Sequence, residues 1–461
     1  MKYLIILFTS FCYSQSTVSF DSYTGSTNEE KWSTMVSGYT SGDIVEFTSG
    51  QTYNFTSIVD LHQVDGLTLR STSTTKARLI TNQRGIITRV DGVIHSADNL
   101  LIENLYFEST ATIGGQGNAN ALINFGYGSG DNITITNCEF TAPNASTNAI
   151  KIYADTNSIY SNLTFTDNYI HSMGRMGIET VNHRMPVAVN RIFNIVITGN
   201  RIEDVGEVIY GMGVSLSGRN TDALIENNTF LNAPTCAVEL IGGLRNTVKN
   251  NLFEGTGDPF HAVRLNIIDN NTIVNETVLL EDNVSTMTGA ISLIGVDGMI
   301  SRNNTWTGNR NMFFQNVANV RFINDDFNLF GENPFFNGGT ATALVQMFTA
   351  NNNLTGDLSP NQSVGFENCN LRLRNDVGFF QIQQGTINVS CSNVYATTNS
   401  SRFNPNGTAT DVSVFVNDVA NNEVGDTGVT CADIGYVAAS GSTIGTPTSG
   451  FTGSILNFFV E

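Results

Sequence analysis

Along the middle of the chain, apolar and polar residues alternate for a few positions, halt at an asparagine-rich turn, and resume with one more apolar residue. The pattern recurs in NLLIENLYF from residue 99, NITITNCEF from 132, NLTFTDNYI from 162, NIVITGNRI from 194, DALIENNTF from 222, RNTVKNNLF from 245, NIIDNNTI from 266 and GMISRNNTW from 298. Period-two alternation predicts a strand with one buried face, and the Asn-rich segment predicts a turn. Successive units start about 20 to 35 residues apart. A unit of that length cannot bury its own apolar face, whereas stacked units share one continuous core. Asn168, Asn200, Asn228, Asn251 and Asn271 hold the same place in the motif, which predicts a ladder of turn side chains bonding the backbone of the next coil. The Asn-X-Thr triplets at Asn132, Asn162 and Asn275 follow from the same turn chemistry and carry no implication of glycosylation.

Each coil has a second short strand, seven to ten residues after the motif closes: AIKI from 149, GIET from 177, GVSL from 213, AVEL from 237, AVRL from 262 and AISL from 290. The second and fourth residues are apolar and face inward, so the third faces out. Read down the stack, the outward residues are Lys151, Glu179, Ser215, Glu239, Arg264 and Ser292, about 4.8 Å apart from rung to rung. Plain surface ion pairs would explain Lys151 beside Glu179 or Glu239 beside Arg264, and these are worth about 0–1 kcal/mol. Two features favour chemistry instead. Lysine is scarce, with five in the chain, and the long coil after Glu179 inserts VNHRMPVAVNR, which brings His183 and Arg184 next to the row. A loop of that kind is how a solenoid walls a groove. His171, Arg175, Tyr210, Arg219 and His261 lie in the flanking connections.

Composition narrows the class. The chain of 461 residues is 40% hydrophobic and only 14% charged, as expected of a folded protein with many turns. A net charge of −19 argues against a nucleic-acid surface or anchoring to anionic lipid. MKYLIILFTSFCYSQ at the start reads as a short secretory signal, too short to span a bilayer, and no later apolar stretch is long enough to cross one. With Cys12 removed, Cys138, Cys236, Cys369, Cys391 and Cys431 remain: an odd number without metal-ligand spacing. Cys369 and Cys391 sit in similar local sequence, which leaves pairing and unpaired burial both open.

These repeats resemble the right-handed parallel β-helix superfamily of carbohydrate-active and phage-tailspike proteins. The resemblance implies an all-β solenoid: signal peptide 1–15, N-terminal cap 16–39, parallel β-helix 40–400, and a C-terminal cap or tail 401–461. The run from Glu239 to Arg264 resembles polysaccharide lyase family six, the alginate and dermatan lyases, in which such a Glu helps hold calcium and such an Arg assists catalysis. That resemblance makes Glu239 a candidate Ca²⁺ ligand. The family's catalytic Lys is missing: Leu244 occupies its place with Arg245 adjacent, and arginine, with a pKa above about 12, is a poor base. Three functions follow, in order of preference. The first is a secreted lyase cleaving an acidic, uronic-acid-containing polysaccharide by β-elimination. The second is an inverting glycoside hydrolase using Glu179 and Glu239, whose attachment points would lie about 9.6 Å apart, compatible with the ~6.5–9.5 Å between the carboxyls of an inverting pair. The third is a non-catalytic glycan-binding adhesin or tailspike-like protein. The expected catalytic residues are Glu179, His183, Glu239 and Arg264; the expected substrate-binding residues are Lys151, Arg175, Arg184, Tyr210, Arg245 and His261. The expected partner is an extracellular polysaccharide, bound by a monomer rather than the trimer typical of tailspikes.

Overall fold

A computed structural model describes residues 15–329 apart from residues 62–63, 89–94, 115–120, 127, 156, 183–190, 209, 256–260, 268–272, 288, 290 and 309–311, and, beyond 329, a set of strands between 335 and 453 with residues 362–373. The chain winds as the predicted right-handed parallel β-helix, each coil contributing one strand to each of three columns.

The first column is the strand of the Asn motif. It runs from Ile44–Phe47 through Thr68–Ser71, Gly128–Thr136, Tyr160–Thr166, Ile192–Thr198 and Thr247–Lys249 to Val412–Val416, each strand parallel to the next. That last strand carries the parallel pairing past residue 400. The second column follows the turn and forms a 13-stranded sheet from Thr52–Phe55 to Asn393–Tyr395. The third holds the row of candidate residues: Ala121–Gly126, Asn148–Ala154, Ile178–Asn182, Met212–Ser217, Cys236–Ile241, His261–Asn266 and the first part of Ile291–Arg302.

Inward apolar residues line the interior of the solenoid. Val45, Leu69, Ile102, Ile135, Phe165, Ile197 and Ile225 stack down the first column, and Phe107 lies on Phe140 with centroids 5.1 Å apart and planes 8° apart in the second. Phe230, Phe253 and Trp306 continue that second stack. The N-terminal end is closed by the strand Thr17–Ser19, paired parallel to Ile44–Phe47, and by the helix Asn28–Gly38, N-capped by Thr27. This cap lays Phe20 and Trp32 over Phe47, Tyr53 and Phe55.

The ladder is longer and chemically more varied than the asparagines alone indicate. Asn168, Asn200, Asn228, Asn251, Asn283 and Asn304 are buried; the Asn168 oxygen accepts the backbone N–H of Cys138, and from Asn200 onward each side-chain oxygen accepts from both the backbone N–H and the amide of the rung before. The rung after Asn251 is Asn283, not Asn271, which lies outside the described residues. Two stretches of the same pattern follow one another here, and Asn275–Glu281 is the one that pairs with Thr247–Lys249. Asp325 takes the next rung, accepting from Asn304. Cys138 and Cys369 stand at the two ends. Each thiol contacts the carbonyl two residues earlier and one in the preceding coil, the acceptors that the Asn amides use elsewhere. A left-handed residue, from Asn137 through Asn227 and Asn250 to Asn324 and Asn368, precedes the ladder position and turns the chain; Asn tolerates that conformation. Cys138 and Cys236 are free thiols, and the pairing considered for Cys369 involves a residue outside the described ones. Cys391 and Cys431 lie outside the described residues.

Candidate functional site

A small first residue allows the third column to turn its corner. At Gly177 an added Cβ would lie 2.4 Å from the carbonyl oxygen of Gly213, and at Gly213 it would lie 2.7 Å from that of Ala237. Glycine or alanine therefore begins each motif, and the next three residues alternate in, out, in. Val214, Val238, Val263, Leu216, Leu240 and Leu265 are fully buried in the core. Between them the register runs Asn124 to Lys151, Lys151 to Glu179, Glu179 to Ser215, Ser215 to Glu239, Glu239 to Arg264 and Arg264 to Ser292. The row read from the sequence is one continuous line on the outside of the coil.

The row differs from an open surface in one respect. Glu179 and Glu239 are only 6% and 4% exposed, and Ser215 and Ser292 are buried too. Neighbours in the row cover one another, and Met176, Met212 and Cys236 pack as a small apolar cluster on its flank.

Glu179 is held from every side. Lys151 Nζ lies 2.8 Å from Oε2, Arg175 reaches both oxygens at 2.9 and 3.2 Å, and Asn148 donates its amide at 2.8 Å. Burial alone would raise the Glu179 pKa, but the charges of Lys151 and Arg175 outweigh it and bring the value down to about 2. Glu239 has the opposite balance. Burial pushes its pKa up, the nearby Glu179 charge adds to the rise, and Arg264 with hydrogen bonds from Ser215 and Asn266 only partly offsets it. The Arg264 contact is loose, Nε to Oε1 at 3.8 Å, and the Arg264 side chain is 31% exposed, while Ser215 Oγ donates to Oε2 at 3.0 Å. Two carboxyls on one row thus have pKa values driven apart, an arrangement that lets one stay charged and the other carry a proton.

The remaining candidates are distributed around this row. Arg175, in the connection before Ile178–Asn182, belongs to the Glu179 cluster. His261 begins its strand opposite Cys236, on the flank beside Arg264. Tyr210 is 44% exposed, with positive φ, in the connection leading to Met212. Arg245 is not brought into the row: it sits in the left-handed turn at the next corner, bidentate to Asp222 at 2.7 Å. Arg219 is ion-paired with Glu276 at 2.6 Å. His171 stacks on Tyr169 and faces Glu139 at 3.4 Å on the second column, away from the row. His183 and Arg184 lie outside the described residues. Asn148 was not singled out in the sequence: it immediately precedes the AIKI motif, the place held by Met176, Met212, Cys236 and His261 in later coils.

The donor set around Glu239 does not suit calcium. Ca²⁺ takes six to eight oxygen ligands, whereas Glu239 faces a guanidinium and a hydroxyl that donates to it. Among the described residues no group of three or more His, Cys, Asp or Glu side chains is placed to hold a metal ion. No helix among the described residues is long and apolar enough to cross a membrane.

No protein with a curated description matches the chain significantly. Residues 89–273 match the family described as "Right handed beta helix region". Among solved structures, the catalytic domain of a GH87 α-1,3-glucanase variant in complex with nigerose superposes with a TM-score of 0.51 at 13% identity, covering 87% of this chain and 67% of that one. A second variant of that type, also with nigerose, gives 0.50 at 13% identity over 87% and 68%. The Streptococcus pneumoniae surface protein and adhesin PfbA is similar at 0.49 and 12% identity, over 86% and 99%. At such identities the likeness is one of fold. From repeat, register and match together, the chain is a right-handed parallel β-helix.

Proposed function

We propose that the third-column face is the substrate face of a secreted enzyme that cleaves an acidic polysaccharide by β-elimination. The observation that carries this reading is Glu239: a buried carboxyl with a raised pKa, with a partly exposed Arg264 one rung away. Elimination from a uronate needs the substrate carboxylate neutralised, the proton at C5 removed and the leaving oxygen protonated. We assign Arg264 to the first task and Glu239, whose pKa is raised by burial, to the last. His183, directly after the strand that carries Glu179, is our candidate base, with Tyr210 as the other. The similar fold of an α-1,3-glucanase in complex with nigerose is compatible with a glycan as partner.

The inverting-hydrolase reading has the two-rung separation of Glu179 and Glu239 in its favour. Against it, the Glu179 oxygens already accept from Lys151, Arg175 and Asn148, which leaves a poor base for activating water. The test is to incubate the protein with alginate, pectate, glycosaminoglycans and sulfated algal glycans, following ultraviolet absorbance of unsaturated ends and, separately, reducing ends. Unsaturated product is expected from an acidic polymer, falling by about 10²-fold or more in Glu239→Gln and in Arg264→Ala with melting temperature retained. Reducing ends without unsaturation would move the assignment to hydrolysis, and binding without product to an adhesin.

A further inference from the structure

Among its described residues, the charged row has two cationic poles with nothing cationic between them. At one, Lys151 and Arg175 converge on Glu179; at the other, Arg264 stands beside Glu239; Ser215 occupies the rung between the two acids. Lys151 and Arg264 are separated by four rungs, about 19 Å at the spacing of parallel strands. Three cations against Glu179 and a Glu239 disposed to protonation make this strip positive on a chain whose net charge is −19. The strip runs along the solenoid axis.

The cations keep donors to spare. A lysine ammonium has three donors and a guanidinium five, and the side chains of Lys151, Arg175 and Arg264 remain 13%, 18% and 31% exposed. Glu179, by contrast, is buried and fully engaged, so it fixes the direction of Lys151 and Arg175 and is a positioning residue.

We infer that this face takes a polyanionic glycan lying parallel to the solenoid axis and grips two of its carboxylates at once, one at Lys151 and Arg175 and another at Arg264. A 1,4-linked pyranose advances a polymer by roughly one rung, so both grips close only when the chain reaches about five residues. The inference rests on the polyuronate reading of the face and adds to it the length and charge pattern of the substrate. Linking two contacts through one ligand makes the second intramolecular, and affinity then rises in a step rather than smoothly.

The experiment is calorimetric titration of the intact protein carrying Glu239→Gln, to prevent turnover, with oligouronates of two to seven residues at fixed ionic strength. Affinity is expected to jump by about tenfold or more on reaching about five residues. The jump should vanish in Lys151→Ala and in Arg264→Ala, return in Lys151→Arg, and be absent for carboxyl-reduced oligosaccharides of equal length. Circular dichroism melts of each variant exclude misfolding as the cause. A smooth rise with length, or a jump that persists in either alanine variant or with the neutral ligand, overturns the inference. A charge-dependent jump in a protein that cleaves no polymer would sink the elimination reading and leave the two-pole site standing; cleavage without the jump does the reverse.

Discussion

Glu179 and Glu239 are the same residue type at equivalent positions two rungs apart, and they behave oppositely because of what surrounds them. The folded pKa of Glu179 lies below its unfolded value, near 2 against 4.5. Its contribution to stability is therefore present above about pH 4.5 and is lost as pH falls toward 2, amounting to about 3 kcal/mol. Replacing it with Gln leaves Lys151 and Arg175, both partly buried, without their counter-charge, which costs up to the about 3–5 kcal/mol of a fully buried pair. Urea denaturation at pH 7 is expected to show that loss, and the gap between wild type and Glu179→Gln should narrow at pH 3. An undiminished gap at pH 3 would mean the carboxylate charge is not what holds the cluster. The alternation of GIET and AVEL made both acids legible as outward residues. It could not reveal their burial, or the Asn148 and Arg175 contacts, because those come from neighbouring coils and connections.

Among the elements, the ladder is where local sequence and stacking meet. A side-chain amide satisfies two needs at once, accepting from the rung above and donating to carbonyls beside it, so Asn recurs where a buried turn would otherwise strand polar backbone. Asp325 performs only the accepting half. Burial raises its pKa to about 7, against hydrogen bonds from Ser301 and Asn304 that pull the other way. A folded pKa above the unfolded value means a contribution fully present below about pH 4 and lost as pH rises through 7. Asp325→Asn, which restores the residue found on the six preceding rungs, should raise the melting temperature clearly more at pH 8 than at pH 5. Equal shifts at both pH values would exclude ionisation of Asp325 as the cause. The asparagines of the ladder could be read directly, but Cys138, Asp325 and Cys369 could not. The signal that would have found them is the left-handed Asn immediately before each, rather than the ladder residue itself.

For the whole molecule, the solenoid must end somewhere, and an uncapped coil presents a row of unpaired strands and apolar rings. The strand Thr17–Ser19 and the helix Asn28–Gly38 cover Phe47, Tyr53 and Phe55 with Phe20 and Trp32. Removing residues 16–39 should expose that aromatic cluster. The shortened chain is expected to bind a hydrophobic dye and to scatter as larger species than the full chain. If it remains the same size and dye-silent, the cap contributes no protection. The three-column winding also decides which candidates can act together. Glu239 and Arg264 are 25 positions apart in sequence yet register partners in adjacent strands, whereas Arg245, far closer in sequence to Glu239, is carried round the corner to Asp222.

By itself the sequence determined the repeat, the inward and outward alternation of each strand and the residues of the charged row. Those depend on the periodicity of a strand and on turn chemistry, which act over a few neighbouring positions. Only the tertiary structure decided which Asn-rich stretch fills the rung after Asn251, that the row is covered rather than open, and that one glutamate is locked as an anion while the other is pressed toward its neutral form. Those outcomes are set by solvent exclusion and by charges from other coils, and neither exists until the coils are stacked.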